Sequence, residues 1–287
     1  MMLKDLPTDV VALKTETLTV KAVTFDVWET LLFEKDGASS QRTVVRCKNI
    51  VQTLNRFGLP FSVEDVGQAL GETISSLVRV WDKNKDVSHL EQIRLFFEHL
   101  SEGKRVLKDE WIKELSMAYV SPIFEVPPYL NPDARELLRL LKSQNKLLGI
   151  VCNTGITPGT ELRRFLAMQG VGDYFDLMIF SDEVGIRKPD RRIFNMVARG
   201  LRVKPHEIVH IGDNLKSDAW GAKNAGLGAI HLSGSAGRDK MAESDPKSLV
   251  SLSRNLGNLK LERTAPDRAV ASLAMVREAM RELENTC

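Results

Sequence analysis

Four short apolar runs, at residues 147–151, 177–180, 208–211 and 229–232, alternate with helical stretches, and this alternation most constrains the fold. The intervening stretches are 158–168, 189–198 and 217–225, the last stopped by Gly226. Strands alternating with helices of this length predict right-handed crossovers and a parallel sheet. A further strand comes much earlier, at 21–26, where Ala22-Val23-Thr24-Phe25 is short and partly β-branched, as a buried parallel strand should be. The expected fold is therefore α/β, a Rossmann-like doubly wound parallel sheet.

Residues 36–120 interrupt this plan. Cys47, Ile50, Val51 and Leu54 share one helical face, and Gly58 follows as a stop. Val63, Val66, Leu70, Ile74, Leu77 and Trp81 form a second stripe. Ser88 and Glu91 have capping-box spacing before Ile93, Phe97 and Leu100. Trp111, Leu115 and Ala118 mark a fourth helix. Four helices with no strand between them read as a separate helical module. Asn131-Pro132 opens another helix, with Leu137, Leu138 and Leu141 on its apolar face. At the other end, 234–246 reads as a polar loop and 249–259 as a closing segment. A last helix is predicted over 266–283, with Leu273, Val276, Met280 and Leu283 as its seam. That seam docks on its own core or, as a second reading, carries a homodimer contact.

Composition narrows the function classes. The 287 residues carry 40 Lys+Arg and 38 Asp+Glu, for a net charge of +2 with both signs interspersed. Nothing in that balance calls for nucleic acid or a membrane surface as a partner. No apolar stretch is long enough to cross a bilayer, and residues 1–20 lack the pattern of a secretory signal. Cys47, Cys152 and Cys287 are widely spaced, unlike a disulfide framework or a zinc site. The expectation is a cytoplasmic protein in a reducing compartment.

In an open α/β sheet, ligands bind beyond the carboxyl ends of the strands. The polar residues just past each predicted strand are the candidate site. They are Asp26; Cys152, Asn153 and Thr154; Ser181, Asp182 and Glu183, with Lys188 further on; and Asp213 and Asn214, with Asp218 on the next helix. Two carboxylates on separate strands suit Mg²⁺, a hard cation that takes oxygen ligands. A lysine among them could neutralise an anionic substrate, and a carboxylate nucleophile can form a covalent aspartyl intermediate. His206 and His210, four apart, straddle a predicted loop and strand and read as structural or surface groups.

These segments resemble the motifs of the haloacid dehalogenase-like (HAD) hydrolases. Phe25-Asp26-Val27-Trp28-Glu29-Thr30-Leu31 is similar to the first motif, and Val151-Cys152-Asn153 stands where the second belongs. Gly185-Ile186-Arg187-Lys188-Pro189-Asp190 resembles the third, and the run from Ile211 to Asp218 the fourth. The helical module lies where the family's C1 cap is inserted. The resemblance implies an α/β core of residues 1–35 and 121–287, with 266–287 an extra C-terminal helix and 36–120 the cap. It implies Asp26 as nucleophile and Mg²⁺ ligand, the Trp28 carbonyl and Asp213 as further ligands, and Asp218 holding the metal directly or through water. Lys188 would bind the phosphoryl group, with Trp28, Cys152, Asn153 and Thr154 on the substrate. The implied activity is a Mg²⁺-dependent phosphatase of a small phosphorylated metabolite.

Two positions depart from the family pattern. Trp28 stands where phosphatases carry a second aspartate, the general acid and base, and indole cannot transfer protons. Cys152 stands where Ser or Thr donates to the phosphoryl oxygens, and a thiol is a weaker donor. These departures raise two alternatives: a catalytically weak or inactive scaffold that binds a phosphorylated ligand or a protein, and a metal-independent haloacid dehalogenase. The acidic fourth motif ranks dehalogenation below the phosphatase.

Overall fold

A computed structural model describes residues 19–235 and 265–285. Strands β1 (Ala22–Phe25) and β2 (Leu32–Phe33) come first. Helices α1 (Ala38–Arg56), α2 (Val63–Trp81), α3 (His89–Leu100) and α4 (Asp109–Val120) follow, then α5 (Pro122–Glu125) and β3 (Tyr129–Leu130). The alternating part runs α6 (Ala134–Ser143), β4 (Leu147–Cys152), α7 (Gly159–Met168), β5 (Leu177–Phe180), α8 (Ser181–Val184) and α9 (Arg191–Leu201). It continues with β6 (Ile208–Gly212), a π-helical turn (Leu215–Trp220), α10 (Gly221–Asn224) and β7 (Gly228–Leu232). Strand β8 (Arg268–Val270) and helix α11 (Val276–Asn285) complete the described chain.

The expected parallel α/β sheet is present. Its order is β5-β4-β1-β6-β7-β8, and every neighbouring pair is parallel. All four β1 residues are buried, as a central strand covered on both faces requires. Val23 and Phe25 pack on one face with Leu138, Phe165 and Val276. Ala22 packs on the other with Phe194, Val197 and Ala222. After β1 the chain builds outward through β4 and β5, then crosses back to β6 on the other side of β1. Strand order therefore reverses between β1 and β6, which places the ligand crevice outside their carboxyl ends.

The four predicted helices of 36–120 are present and share a hydrophobic cluster of their own, built on Ile50, Leu70, Phe96, Phe97 and Leu115. The capping box at Ser88 forms: Glu91 N donates to Ser88 Oγ at 3.3 Å and Ser88 N to the Glu91 carboxylate at 2.7 Å. The cluster also contains Ile156 from the loop after β4, so the helices rest on a strand-end loop of the sheet.

The end of the chain differs from the predicted single helix over 266–283. Its first part is a sixth strand, β8, hydrogen-bonded to β7, and the helix begins only at Val276. A three-residue strand at a sheet edge is too short to show a periodicity, and the downstream helical seam masks it. Val276, Ala279, Met280 and Leu283 are buried against the sheet, so the seam docks on its own core. Most of the predicted loop at 234–246 and the whole segment 249–259 lie outside the described residues. Among the described residues no helix is long and apolar enough to cross a membrane.

Candidate active site

Asp26 follows β1 directly, and its N–H donates to Ile211 O at 2.9 Å, which pins it against β6. Its side chain is buried. Lys188 Nζ lies 2.9 Å from Asp26 Oδ1 and 2.6 Å from Asp218 Oδ1, so one ammonium bridges two carboxylates. Burial opposes the Lys188 charge, but Asp218 and Asp26 together hold the amine above the usual lysine range. Burial likewise opposes the Asp218 charge, and Lys188 and His210 outweigh it, keeping that carboxyl well below the usual range. Burial raises the Asp26 carboxyl, with Lys188 pulling the other way.

Lys188 is delivered by its neighbours. Its N–H donates to Asn153 Oδ1 at 2.8 Å, and Asn153 Nδ2 donates to Lys188 O at 3.0 Å. Both ends of the Asn153 amide therefore hold the lysine's backbone, ahead of the cis Lys188–Pro189 peptide. Cys152, at the end of β4, is fully buried. Burial, then the Asp26 carboxylate, push its thiol well up, so it stays protonated. Thr154, two residues on, is buried. Its hydroxyl is 3.1 Å from Ser181 Oγ and donates to Asp86 Oδ2 at 3.5 Å. Trp28 is half-buried against the core, with the Arg42 guanidinium 6.0 Å from its ring centroid.

The turn after β6 is shaped around Asp218. Asn214 Oδ1 accepts from Lys216 N at 3.0 Å and Ser217 N at 2.9 Å, and a wide π-helical turn follows. Such turns are rare and recur at functional sites. Here the turn brings Asp218 back so that its Oδ2 accepts from Asn214 N at 3.0 Å. A Cβ on Gly212 would stand 2.3 Å from the Asp218 carboxyl carbon, so only glycine leaves room. Ligand atoms of Asp26, Asp213 and Asp218 all lie within 4.8 Å of one another. Asp26 Oδ1 is buried, with the Lys188 ammonium 2.9 Å away. A buried carboxylate oxygen beside two more carboxylates fits a hard divalent cation.

Two groups of residues play parts that the sequence pattern did not assign to them. His210 was expected to be structural or surface, and it is fully buried beneath Asp218. Its Nε2 is 3.1 Å from Asp218 Oδ1 and its Nδ1 is 2.9 Å from Thr24 Oγ1. Burial lowers its basicity, and a neutral ring donating from Nε2 and accepting at Nδ1 satisfies both contacts. A histidine inside the apolar run Ile208-Val209-His210-Ile211 was the available signal. The second group joins the helices to the lysine loop. Asp86, between α2 and α3, accepts at Oδ2 from Arg187 Nη1 and Ser181 Oγ, both at 2.5 Å, and at Oδ1 from Trp81 Nε1 at 2.9 Å. The Asp86 and Arg187 backbones pair with Gly185 and Asn84. No sequence signal links residues so far apart.

With this geometry in view, the comparisons with known proteins agree. The model of the haloacid dehalogenase-like hydrolase family matches residues 20–226. The chain belongs to that family. It is 28% identical over 215 residues to the glyceraldehyde 3-phosphate phosphatase of Pyrococcus furiosus, covering 74% of this chain and 80% of the relative. Among solved structures, the 2-haloacid dehalogenase of Pseudomonas syringae pv. Tomato DC3000 superposes with a TM-score of 0.60 at 21% identity, over 92% of this chain and 99% of the other. The HAD phosphatase of Thermococcus onnurineus gives 0.54 at 22%, over 91% and 97%. These two structures share the fold while differing in named activity, so the fold alone does not choose between them.

Proposed function

We propose that this enzyme is a phosphatase of a small phosphorylated metabolite, with Asp26 as nucleophile. The observation that carries the reading is the Lys188 ammonium bridging Asp26 and Asp218 at 2.9 and 2.6 Å, with Asp213 alongside. The phosphatase relative supports it. In this reading residues 36–120 are a C1-type cap over a core of 1–35 and 121–287. Mg²⁺ would be held by Asp26, Asp213 and the Trp28 carbonyl. Both Asp218 oxygens already accept hydrogen bonds, so its part would be through water. The cation would supply charge neutralisation at the transferring phosphoryl group.

An Asp26 oxygen attacks phosphorus as the ester P–O bond breaks, and the leaving alkoxide takes its proton from solvent water. Lys188 neutralises the phosphoryl oxygens, and the Cys152 thiol offers a weak donor to them. Water then attacks the aspartyl phosphate at phosphorus, releasing inorganic phosphate and restoring Asp26. Trp28 supplies no proton in either step, and a missing acid or base costs about 10²- to 10⁴-fold in rate. Acyl and aryl phosphates, whose leaving groups need no acid, should therefore be turned over fastest. The test is a panel of phosphate esters and acyl phosphates with and without Mg²⁺. Turnover that needs Mg²⁺ and vanishes in Asp26→Asn is expected; equal activity in that variant sinks the reading.

Trp28 also motivates a second reading, a scaffold that binds a phosphorylated ligand with little turnover. It predicts that Trp28→Asp creates strong phosphatase activity from a silent parent. A parent that is already fast excludes it.

A further inference from the structure

Arg46 is a buried cation with no anionic partner among the described residues. It lies on α1, four residues after Arg42, and both side chains are buried. Arg42 is paired with Glu34 and donates from Nη1 to Val126 O at 3.1 Å. Among the described residues Arg46 donates only from Nε, to Tyr119 O at 2.7 Å, and its guanidinium stands 5.7 Å from the Tyr119 ring centroid. Arginine cannot escape burial by losing its proton at any ordinary pH. A desolvated charge of this kind is costly unless an opposite charge meets it.

Its surroundings are unsatisfied as well. Among the described residues, the Tyr119 hydroxyl and Gln92 Oε1 are buried with no hydrogen-bond partner, and Gln92 lies on α3 between His89 and Phe96, whose rings pack on Tyr119. Burial pushes the Tyr119 phenol up to about 12, so it stays a neutral donor. The cluster adjoins the active site at two points. Gln92 Nε2 donates to Gly155 O at 3.2 Å, in the loop that carries Asn153. Arg42, one helical turn from Arg46, stands over Trp28, two residues past the nucleophile.

We propose that Arg46, with Tyr119 and Gln92 beside it and Arg42 over Trp28, forms a subsite for a second anionic group on the substrate, a carboxylate or a second phosphate. This deepens the phosphatase reading and rests on it. The favoured substrates are phosphomonoesters whose alcohol part is itself negatively charged. Arg46 completes its charge pairing only when such a substrate is bound. Tyr119 and Gln92 then meet the polar atoms beside that group.

The test uses two matched pairs: phosphoglycolate against ethyl phosphate, and 1,3-propanediol bisphosphate against propyl phosphate. The wild type should favour the charged member of one pair by about ten- to a hundredfold in kcat/KM, the range of one charge-assisted hydrogen bond. Arg46→Met should erase that preference and change the uncharged member less than about threefold. No preference in either pair, or an equal loss on both members, overturns the subsite. Should Arg46→Met fail to fold, Arg46→Lys decides: a reduced preference supports the subsite and an unchanged one overturns it. Calorimetric titration of Asp26→Asn with the same esters separates this inference from the one beneath it. If the wild type turns over no ester, yet the variant binds the charged members more tightly and Arg46→Lys weakens that, the subsite stands and the phosphatase reading falls. Equal binding of charged and uncharged members overturns the subsite.

Discussion

Arg187 and Arg46 are both buried guanidinium groups, one behind the lysine loop and one in the helical block, and the chain treats them differently. Arg187 meets Asp86 Oδ2 and Thr154 O, and its guanidinium lies 4.5 Å from the Trp81 ring centroid. Arg46 meets one backbone carbonyl and an aromatic face. The same contrast separates their neighbourhoods. Around Lys188 every buried charge has a partner inside the chain, so the lysine is held in place before any ligand arrives. Around Arg46 three buried polar groups wait on something external. A preorganised site aims charge where charge develops, whereas a specificity pocket leaves its pairing to the ligand.

The strongest way to break this comparison is to remove one member of the saturated pair. Arg187→Met leaves the Asp86 carboxylate buried without its counter-charge, and should destabilise the fold by about 3–5 kcal/mol. The double variant with Asp86→Leu should recover much of that loss, because the orphaned charge goes too. Denaturant midpoints for the wild type and the two variants measure both, and a double variant as unstable as the single would contradict it.

Next in size is Gly212→Ala. The new methyl would meet the Asp218 carboxyl, and overpacking of this kind costs about 1–3 kcal/mol. Turnover should fall further than stability, since the displaced Asp218 releases Lys188. A variant with normal kcat would show that the Asp218 position does not matter.

His89 sharpens the comparison through pH. It packs in the helical block, its Nε2 2.5 Å from Ser116 Oγ, and burial holds its pKa down to about 4 from an ordinary 6.5. Between those values the unfolded chain binds a proton that the folded chain refuses. Stability should therefore be full above about pH 6.5 and fall as the pH drops toward 4, and His89→Gln should flatten that slope. Thermal melts of both proteins across this window decide it.

The smallest effect is the most diagnostic. Arg46→Met, without ligand, should cost nothing or raise stability by up to about 1 kcal/mol, because it removes an uncompensated buried charge. A loss comparable to that of Arg187→Met would mean that Arg46 has structural pairing equal to that of Arg187.

Much of this was readable from residue order. Asp26, Lys188, Asp213 and Asp218 each sit just past an apolar run or on the turn after it, and a parallel sheet must bring such positions to one rim. Trp28 and Cys152 read as departures at the sequence level because the resemblance to a motif gives each position an expected type. Asn153 was placed at the site, but its amide holds the Lys188 backbone, a contact that spacing cannot report. Thr154 was grouped with Cys152 and Asn153 by adjacency, yet its hydroxyl joins Ser181 and Asp86.

The sequence by itself determined the parallel α/β plan, the inserted helices and the carboxylates at the strand ends, because these follow from local periodicity and from what terminates each apolar run. The tertiary structure alone decided β8, the His210 contact beneath Asp218, the Asp86–Arg187 pair and the solitary Arg46. Each depends on which distant residues meet. Pairing between residues 101 positions apart, as for Asp86 and Arg187, leaves no mark on either local pattern. That no anionic group among the described residues meets Arg46 is a property of a whole neighbourhood, and it exists only once the chain has folded.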